Sequence, residues 1–232
     1  LIEQPYWAVV PAAGVGSRMR ADRPKQYLSI GGRTVLEHTL TALADCPRIR
    51  ALVVVISPED PYWSGLSLNL DKPLLVTSGG QERADSVLNG LEALPPEATA
   101  EDWVLVHDAA RPCLRQEDLQ RLFAPPHDEG AILAVPAKDT KKLAGADGRI
   151  EQTLDRSRMW QALTPQMFRL GLLKKALRSA RKRSLAVTDE ASAMEFAGYR
   201  PDLVEGHADN IKITRPEDLA LAEFYLHQQG RL

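Results

Sequence analysis

Residues 51–56 (ALVVVI) form an unbroken apolar run with no polar residue between them. A strand with one wet face would alternate, so this one must be covered on both faces, as a parallel strand is beneath crossover helices. Residues 7–10 (WAVV), 74–76, 103–106 (WVLV) and 131–135 (AILAV) are shorter runs of the same kind. Helical patterns lie between them. Thr34 and Glu37 have capping-box spacing ahead of Leu36, Leu40 and Leu43, and Pro47 closes that element. Ala84, Val87, Leu88, Leu91 and Leu94 line one side of a second helix, and Leu119, Leu122 and Phe123 mark a third. Strand–helix alternation with buried strands predicts an α/β protein built on an open, mostly parallel sheet. At 232 residues and 44% apolar composition, one core is sufficient, and residues 1–232 read as a single domain.

One segment departs from this pattern. Residues 137–156 are polar, with a turn near Gly145–Gly148, and form either a plain surface hairpin or an arm that leaves the sheet. After it, residues 167–180 read as a helix with Leu170, Leu173, Leu177 and Ala180 inward. Another helix follows Thr188 and ends near Gly198. A last one is capped by Thr214 and Glu217 and buries Leu219, Ala222 and Leu226.

Charge and cysteine usage exclude several classes. Lys and Arg total 29 against 31 Asp and Glu, a formal net charge of −2, which argues against a nucleic-acid coat protein. The basic run 174–183 has no interleaved aromatic residue and reads as the wet side of a helix rather than an RNA surface. Cys46 and Cys113 make neither a disulfide scaffold nor a thiolate metal site, in keeping with a reducing compartment. No apolar stretch is long enough to span a bilayer, and the opening residues carry neither a basic leader nor a signal-like run. The expectation is a cytoplasmic protein with no membrane or nucleic-acid partner.

Right-handed crossovers gather the strand C-terminal ends on one edge, where loops 11–25, 78–86 and 107–112 would meet. The first, PAAGVGSRMR, follows directly from a strand. Gly14 and Gly16 allow close backbone approach to phosphates, although a dinucleotide fingerprint and a Walker A loop are both absent. Arg18, Arg23 and Lys25 follow within eleven residues of Gly14. Fixed cations of this kind stabilise the charge that grows in phosphoryl or nucleotidyl transfer; the alternative is a surface turn with solvated bases. In HDAARP, Asp108 stands just past a strand, where a carboxylate can hold Mg²⁺ against a polyphosphate or simply cap a turn. His107 reads as structural. Lys212, in the strand-like run DNIKIT, is either a solvent-facing edge residue or a phosphate ligand.

Eight motifs then coincide: PAAGVGSRM with PKQY, GGQERADSV, VHDAARP, the pairs Asp139–Thr140 and Asp155–Arg156, ALTPQ, TDEASAMEFAG and DNIKIT. Together they resemble the 2-C-methyl-D-erythritol 4-phosphate cytidylyltransferases of the non-mevalonate isoprenoid pathway, over nearly the whole chain. A ribitol 5-phosphate cytidylyltransferase shares much of the nucleotide part. The resemblance implies a Rossmann-like nucleotidyltransferase fold with a protruding β-arm, and transfer of a cytidylyl group from CTP to a polyol phosphate with Mg²⁺. It implies that the backbone of Ala12, Ala13 and Gly14 holds base and phosphates. Gly80 and Ser86 would contact the cytidine, and Asp108 the ribose and metal. Arg18, Lys25 and Lys212 would embrace the triphosphate and the transition state, and Arg111, Thr140, Arg156, Thr164 and Thr188 would surround the second substrate. It also implies a homodimer in which the arm brings Thr140 and Arg156 to the neighbour's site. Gln81 departs from the acidic residue of the family's GGDERADS-type motif, which bears on base selectivity. A non-catalytic nucleotide-binding subunit on the same fold would have less need of gathered cations.

Overall fold

A computed structural model of the chain describes residues 5–14, 19, 22–124 and 127–232. In chain order the strands are β1 (Tyr6–Pro11), β2 (Ser29–Ile30), β3 (Arg33–Thr34), β4 (Ile49–Ile56), β5 (Leu74–Ser78), β6 (Trp103–Val106), β7 (Ala131–Pro136), β8 (Lys141–Ala144), β9 (Ile150–Leu154), β10 (Trp160–Arg169) and β11 (Asp202–Glu205). The helices are α1 (Val35–Ala44), α2 (Arg83–Glu92), α3 (Gln116–Leu122), α4 (Leu170–Lys182), α5 (Glu190–Phe196) and α6 (Pro216–Gln228). Seven strands form one sheet in the order β11-β7-β10-β6-β1-β4-β5, parallel except for β10, which runs antiparallel to both neighbours.

Strand periodicity splits the core into two layers. Ala8 and Val10 of β1 join Leu52, Val54 and Leu105 beneath α1, whose Leu36 and Leu40 are fully buried. Trp7 and Val9 point the other way, with Val53, Val55 and Val104, against Val87 and Leu91 of α2 and Leu173 and Leu177 of α4. Both faces of β1 and β4 are therefore dry, which is why their sequences do not alternate. Gly90 of α2 lets that helix settle on the sheet: a Cβ there would lie 2.5 Å from Val9 Cγ1 and 2.8 Å from Val55 Cγ2. The capping box at α1 is formed, with Glu37 N–H donating to Thr34 Oγ1 and Thr34 N–H to Glu37 Oε2.

Three sequence expectations need correction. Residues 167–169 belong to β10, not to a helix, and α4 begins only at Leu170. The strand was masked because its buried stretch includes Thr164 and Gln166, polar residues whose hydrogen bonds are all internal and which break the apolar signature. The cap of α6 sits one residue later than expected: Asp218, not Glu217, accepts from the backbone N–H of Thr214 and Arg215, with Pro216 in the first turn. Lys212 lies in no strand; the run 211–214 is an extended loop, hooked on by the Ile213 N–H donating to the Ala110 carbonyl. Residues 137–156 do leave the main sheet, as a separate antiparallel pair β8-β9 whose residues are almost all exposed. No helix is long and apolar enough to cross a membrane among the described residues.

Candidate active site

Every parallel strand of the central sheet ends at the same edge, and the backbone ladder runs on past the strands into the loops. Ala12 N–H donates to Val55 O, Gly79 N–H to Ile56 O and His107 N–H to Val9 O, so loops 11–14, 79–86 and 107–111 are pinned side by side. Between them lies a cleft of about 270 Å³ whose walls include Ala12, Gly14, Lys25, Gly80, Asp108 and Lys212. A Cβ added at Gly14 would meet nothing within 4 Å, which leaves the backbone there open to a ligand. Gly79 and Gly80 are instead needed for packing, since a Cβ would lie 2.5 Å from Ala13 Cβ in the first case and 2.3 Å from Asp85 Cβ in the second. Ser86 Oγ accepts from Gly80 N–H and donates to Glu82 O, closing that loop on itself.

Asp108 is the centre of charge. Its Oδ1 lies 3.2 Å from Arg83 Nη2, and its Oδ2 lies 2.9 Å from Lys212 Nζ and 3.4 Å from Arg111 Nε. Burial alone would raise its pKa, but the charges of Arg83, Lys212 and Arg111 outweigh this and hold the carboxyl well below the usual range. Arg83 also makes a two-pronged pair with the fully buried Glu190, at 2.6 and 3.1 Å. Burial works against the charge of Arg83, but Glu190 and then Asp108 more than compensate, and its pKa is raised. At Arg111, burial outweighs the pull of Asp108 and the pKa falls. With Lys25 and Glu82 also lining the cleft, four cations stand against three carboxylates, and the surplus positive charge suits a polyanion.

His107 supports this centre from behind. Its Nε2 lies 3.0 Å from Arg111 O, a carbonyl that can only accept, so Nε2 carries the proton and Nδ1 accepts from Thr164 Oγ1 at 2.9 Å. Burial first, then the charge of Arg111, push its pKa down to about 4, so the ring is neutral near pH 7.

The residues anticipated from sequence distribute unevenly. Ala12, Ala13, Gly14, Lys25, Gly80, Ser86, Asp108 and Lys212 share the cleft. Arg111 lies at its back and also lines an adjoining cavity of about 540 Å³ that runs to the base of the arm. Thr164 is buried, its hydroxyl accepting from Asp108 N–H and donating to His107, so it shapes the floor rather than facing the cavity. Thr140 and Arg156 are exposed on the arm, where Arg156 donates to Lys138 O, and Thr188 is exposed before α5. Arg18 and Gly16 lie outside the described residues. Sequence reasoning overlooked Arg83, Glu190 and Gln26. All three stand inside quoted motifs, but the pairing of the first two spans 107 positions and no spacing rule reveals it. Gln26 is buried and donates to the carbonyls of Ala12 and Gly14, fixing the glycine loop.

Among the described residues no three His, Cys, Asp or Glu side chains converge as a ready metal cage. Asp108 is nevertheless a buried hard-oxygen donor on the cleft wall, and Mg²⁺ commonly takes one or two carboxylates plus phosphate oxygens. The donor set fits an ion that arrives with a polyphosphate.

An open α/β sheet with glycine-loop backbone and paired cations at its switch edge defines a nucleotide-handling protein of the nucleotidyltransferase type. The family model IspD, 2-C-methyl-D-erythritol 4-phosphate cytidylyltransferase, matches residues 6–228, and the chain belongs to that family. A protein of that description from Ectopseudomonas mendocina (strain ymp) is 59% identical over 218 residues, covering 93% of each chain. The crystal structure of the Francisella tularensis 2-C-methyl-D-erythritol 4-phosphate cytidylyltransferase superposes with a TM-score of 0.83 at 38% identity, over 96% of this chain and 100% of that one. A crystal structure of a 4-diphosphocytidyl-2C-methyl-D-erythritol synthase gives a TM-score of 0.82 at 42% identity, over 96% and 99% of the two chains.

Proposed function

We propose that the chain transfers the cytidylyl group of CTP to 2-C-methyl-D-erythritol 4-phosphate, yielding the CDP-alcohol and pyrophosphate. The observation that carries this reading is the gathering of Arg83, Arg111 and Lys212 about Asp108 at the sheet edge, with Lys25 lining the same cleft. An oxygen of the alcohol's phosphate attacks the α-phosphorus of CTP. The bond from that phosphorus to the β-bridging oxygen breaks, and pyrophosphate leaves with the electron pair. A phosphate monoester, with a second pKa of about 6, is already mostly ionised at neutral pH, so no general base is needed. The committed hydrogen bonds of His107 agree with that.

Catalysis is then a matter of bringing two anions together and stabilising added charge. In this reading Lys25 and Lys212, joined by Arg18, hold the reacting phosphates. The backbone of Ala12, Ala13 and Gly14, with Gly80 and Ser86, binds the nucleotide. Asp108 would hold Mg²⁺ arriving with the triphosphate, and the ion would supply charge neutralisation. Arg111 and the cavity beside it receive the polyol phosphate, with Thr164 positioning Asp108 and Thr188 at the margin. We further infer one domain over residues 1–232, a cytoplasmic setting, and a homodimer in which the arm lends Thr140 and Arg156 to the partner's cavity.

The test is pyrophosphate release with CTP, UTP, ATP and GTP, each against methylerythritol phosphate and ribitol 5-phosphate. CTP with methylerythritol phosphate should be preferred. A preference for UTP would overturn the base assignment and direct attention to the exposed Gln81, and a large excess in kcat/KM for ribitol 5-phosphate would overturn the substrate.

A further inference from the structure

Lys212 reaches Asp108 from residues 206–212, a loop with no strand or helix of its own. The loop leaves edge strand β11 and ends beside the C-terminal end of β6, three places away in the sheet. That is a span of about 14 Å at ordinary strand spacing. Chain outside any ladder keeps one shape only where side chains fix it. Here the fixing comes from α3, which packs beneath β7 and β11 and lines no part of the cleft. Asp118, fully buried, accepts from the backbone N–H of His207 at 3.2 Å and from His207 Nδ1 at 2.7 Å. One turn earlier, Arg115 holds the Asp209 carboxylate through Nε at 2.9 Å. Downstream, Arg111 Nη1 donates to Asn210 O and Asn210 Nδ2 donates to Thr164 O, so the last step to Lys212 is short and bonded.

We infer that Asp118 is a positioning residue for the reaction: acting through His207, it fixes the loop that presents Lys212 to the reacting phosphates. The inference rests on the reading of Lys212 given above. A buried carboxylate that served the fold alone would be indifferent to what stands at position 212. One that served Lys212 would lose its effect on turnover once Lys212 is gone.

The experiment uses His207→Ala, D118N and D118A, each alone and combined with Lys212→Ala, with kcat, KM for both substrates and Tm measured for each. His207 has 36% of its side chain exposed, so its removal should leave the fold intact. A small misplacement of a reacting group can cost up to about a hundredfold; His207→Ala is expected to lower kcat about tenfold while changing KM for CTP less than about twofold. D118N retains an acceptor for the His207 N–H groups and should keep more activity than D118A. In the Lys212→Ala background His207→Ala should add no further loss. Lowered Tm with unchanged kcat in His207→Ala and D118N would overturn the inference, as would a full additional loss in the Lys212→Ala background. Wild-type turnover by Lys212→Ala alone would instead overturn the underlying reading of Lys212.

Discussion

In the half of the sheet formed by β5, β4, β1 and β6, the strands are parallel, and Val9, Val53, Val55 and Val104 are wholly buried among apolar neighbours. In the half formed by β10, β7 and β11, β10 runs antiparallel to both of its neighbours and buries Thr164 and Gln166. Their side chains bond to Asp108, His107, Asp189 and Ala191. The first half is held chiefly by area removed from water, a force without direction. The second depends more on directional bonds between a few polar groups, Thr164 tying down the Asp108 backbone and His107, and Gln166 the start of α5. Loops that meet the nucleotide in our reading hang mainly from the first half, and the Lys212 loop from the second.

The largest expected effect separates chemistry from scaffold in the first half. Lys25 opens a single helical turn whose Gln26 and Tyr27 are buried, with Gln26 bonded to the carbonyls of Ala12 and Gly14 and Tyr27 to Asp60. Lys25→Ala should cost about 3 kcal/mol of transition-state stabilisation, roughly a hundredfold in kcat, because a cation aimed at the transferred phosphate meets the most charge there. Urea unfolding of the same variant separates a loss of chemistry from a loss of fold. Turnover near the wild-type value would remove Lys25 from the mechanism.

A pH effect probes the seam between the halves, where His107 of the β6 loop bonds to Thr164 of β10. Burial and Arg111 push its pKa down to about 4, whereas an unfolded histidine titrates near 6.5. Between those values the unfolded chain takes up a proton that the native ring refuses, so stability falls as pH drops from about 6.5 to about 4. The full loss from this residue is about 3 kcal/mol. Buried His38, lowered chiefly by burial, adds to the same slope. Asp108 acts elsewhere on the scale: its stabilisation is present above the unfolded carboxyl value and is lost only as pH falls through its depressed native one. Denaturant unfolding at pH 7, 6, 5 and 4.5 should therefore show a flatter slope for His107→Gln, whatever its stability at pH 7. An unchanged slope would assign the titration to other groups.

The same division governs what could be read from sequence. β1, β4 and β6 were legible because burial on both faces writes an apolar run, and α1 because Thr34 and Glu37 write its start. β10 was not, since a strand that buries Thr164 and Gln166 by hydrogen bonding carries neither period clearly. At the cleft, the glycine loop and the acid after β6 were visible as local motifs. Glu190 on Arg83, and Asp118 on His207, join residues 107 and 89 positions apart, and only the folded chain brings them together.

A third test asks how closely packed the first half is. Gly90→Ala would gain about 1 kcal/mol in an open helix. Here the new methyl would stand 2.5 Å from Val9 Cγ1 and 2.8 Å from Val55 Cγ2, two fully buried side chains with no room to retreat. Overpacking should win, for a net loss of about 2 kcal/mol in denaturant unfolding. A stabilised variant would mean that the helix can lift from the sheet, and the contrast between the halves would weaken.

The smallest effect on the fold is expected farthest from both halves, on the arm. Ile150 is 67% exposed and Leu143 43% exposed on the two-stranded β8-β9 unit, with Trp160 37% exposed at its base. Within one chain Ile150 covers little, so Ile150→Lys should change unfolding at low protein concentration by no more than about 0.5 kcal/mol. The proposed homodimer makes the same side chain matter for assembly, because a second arm would take it out of water and two-fold symmetry would repeat that contact. Losing even part of an isoleucine's burial, worth about 1.5–3 kcal/mol when complete, should raise the dimer dissociation constant at least about tenfold. Light scattering over a micromolar dilution series measures this directly. A wild-type chain that is monomeric throughout would refute the dimer. A wild-type dimer that Ile150→Lys leaves equally tight would move the interface off the tip of the arm.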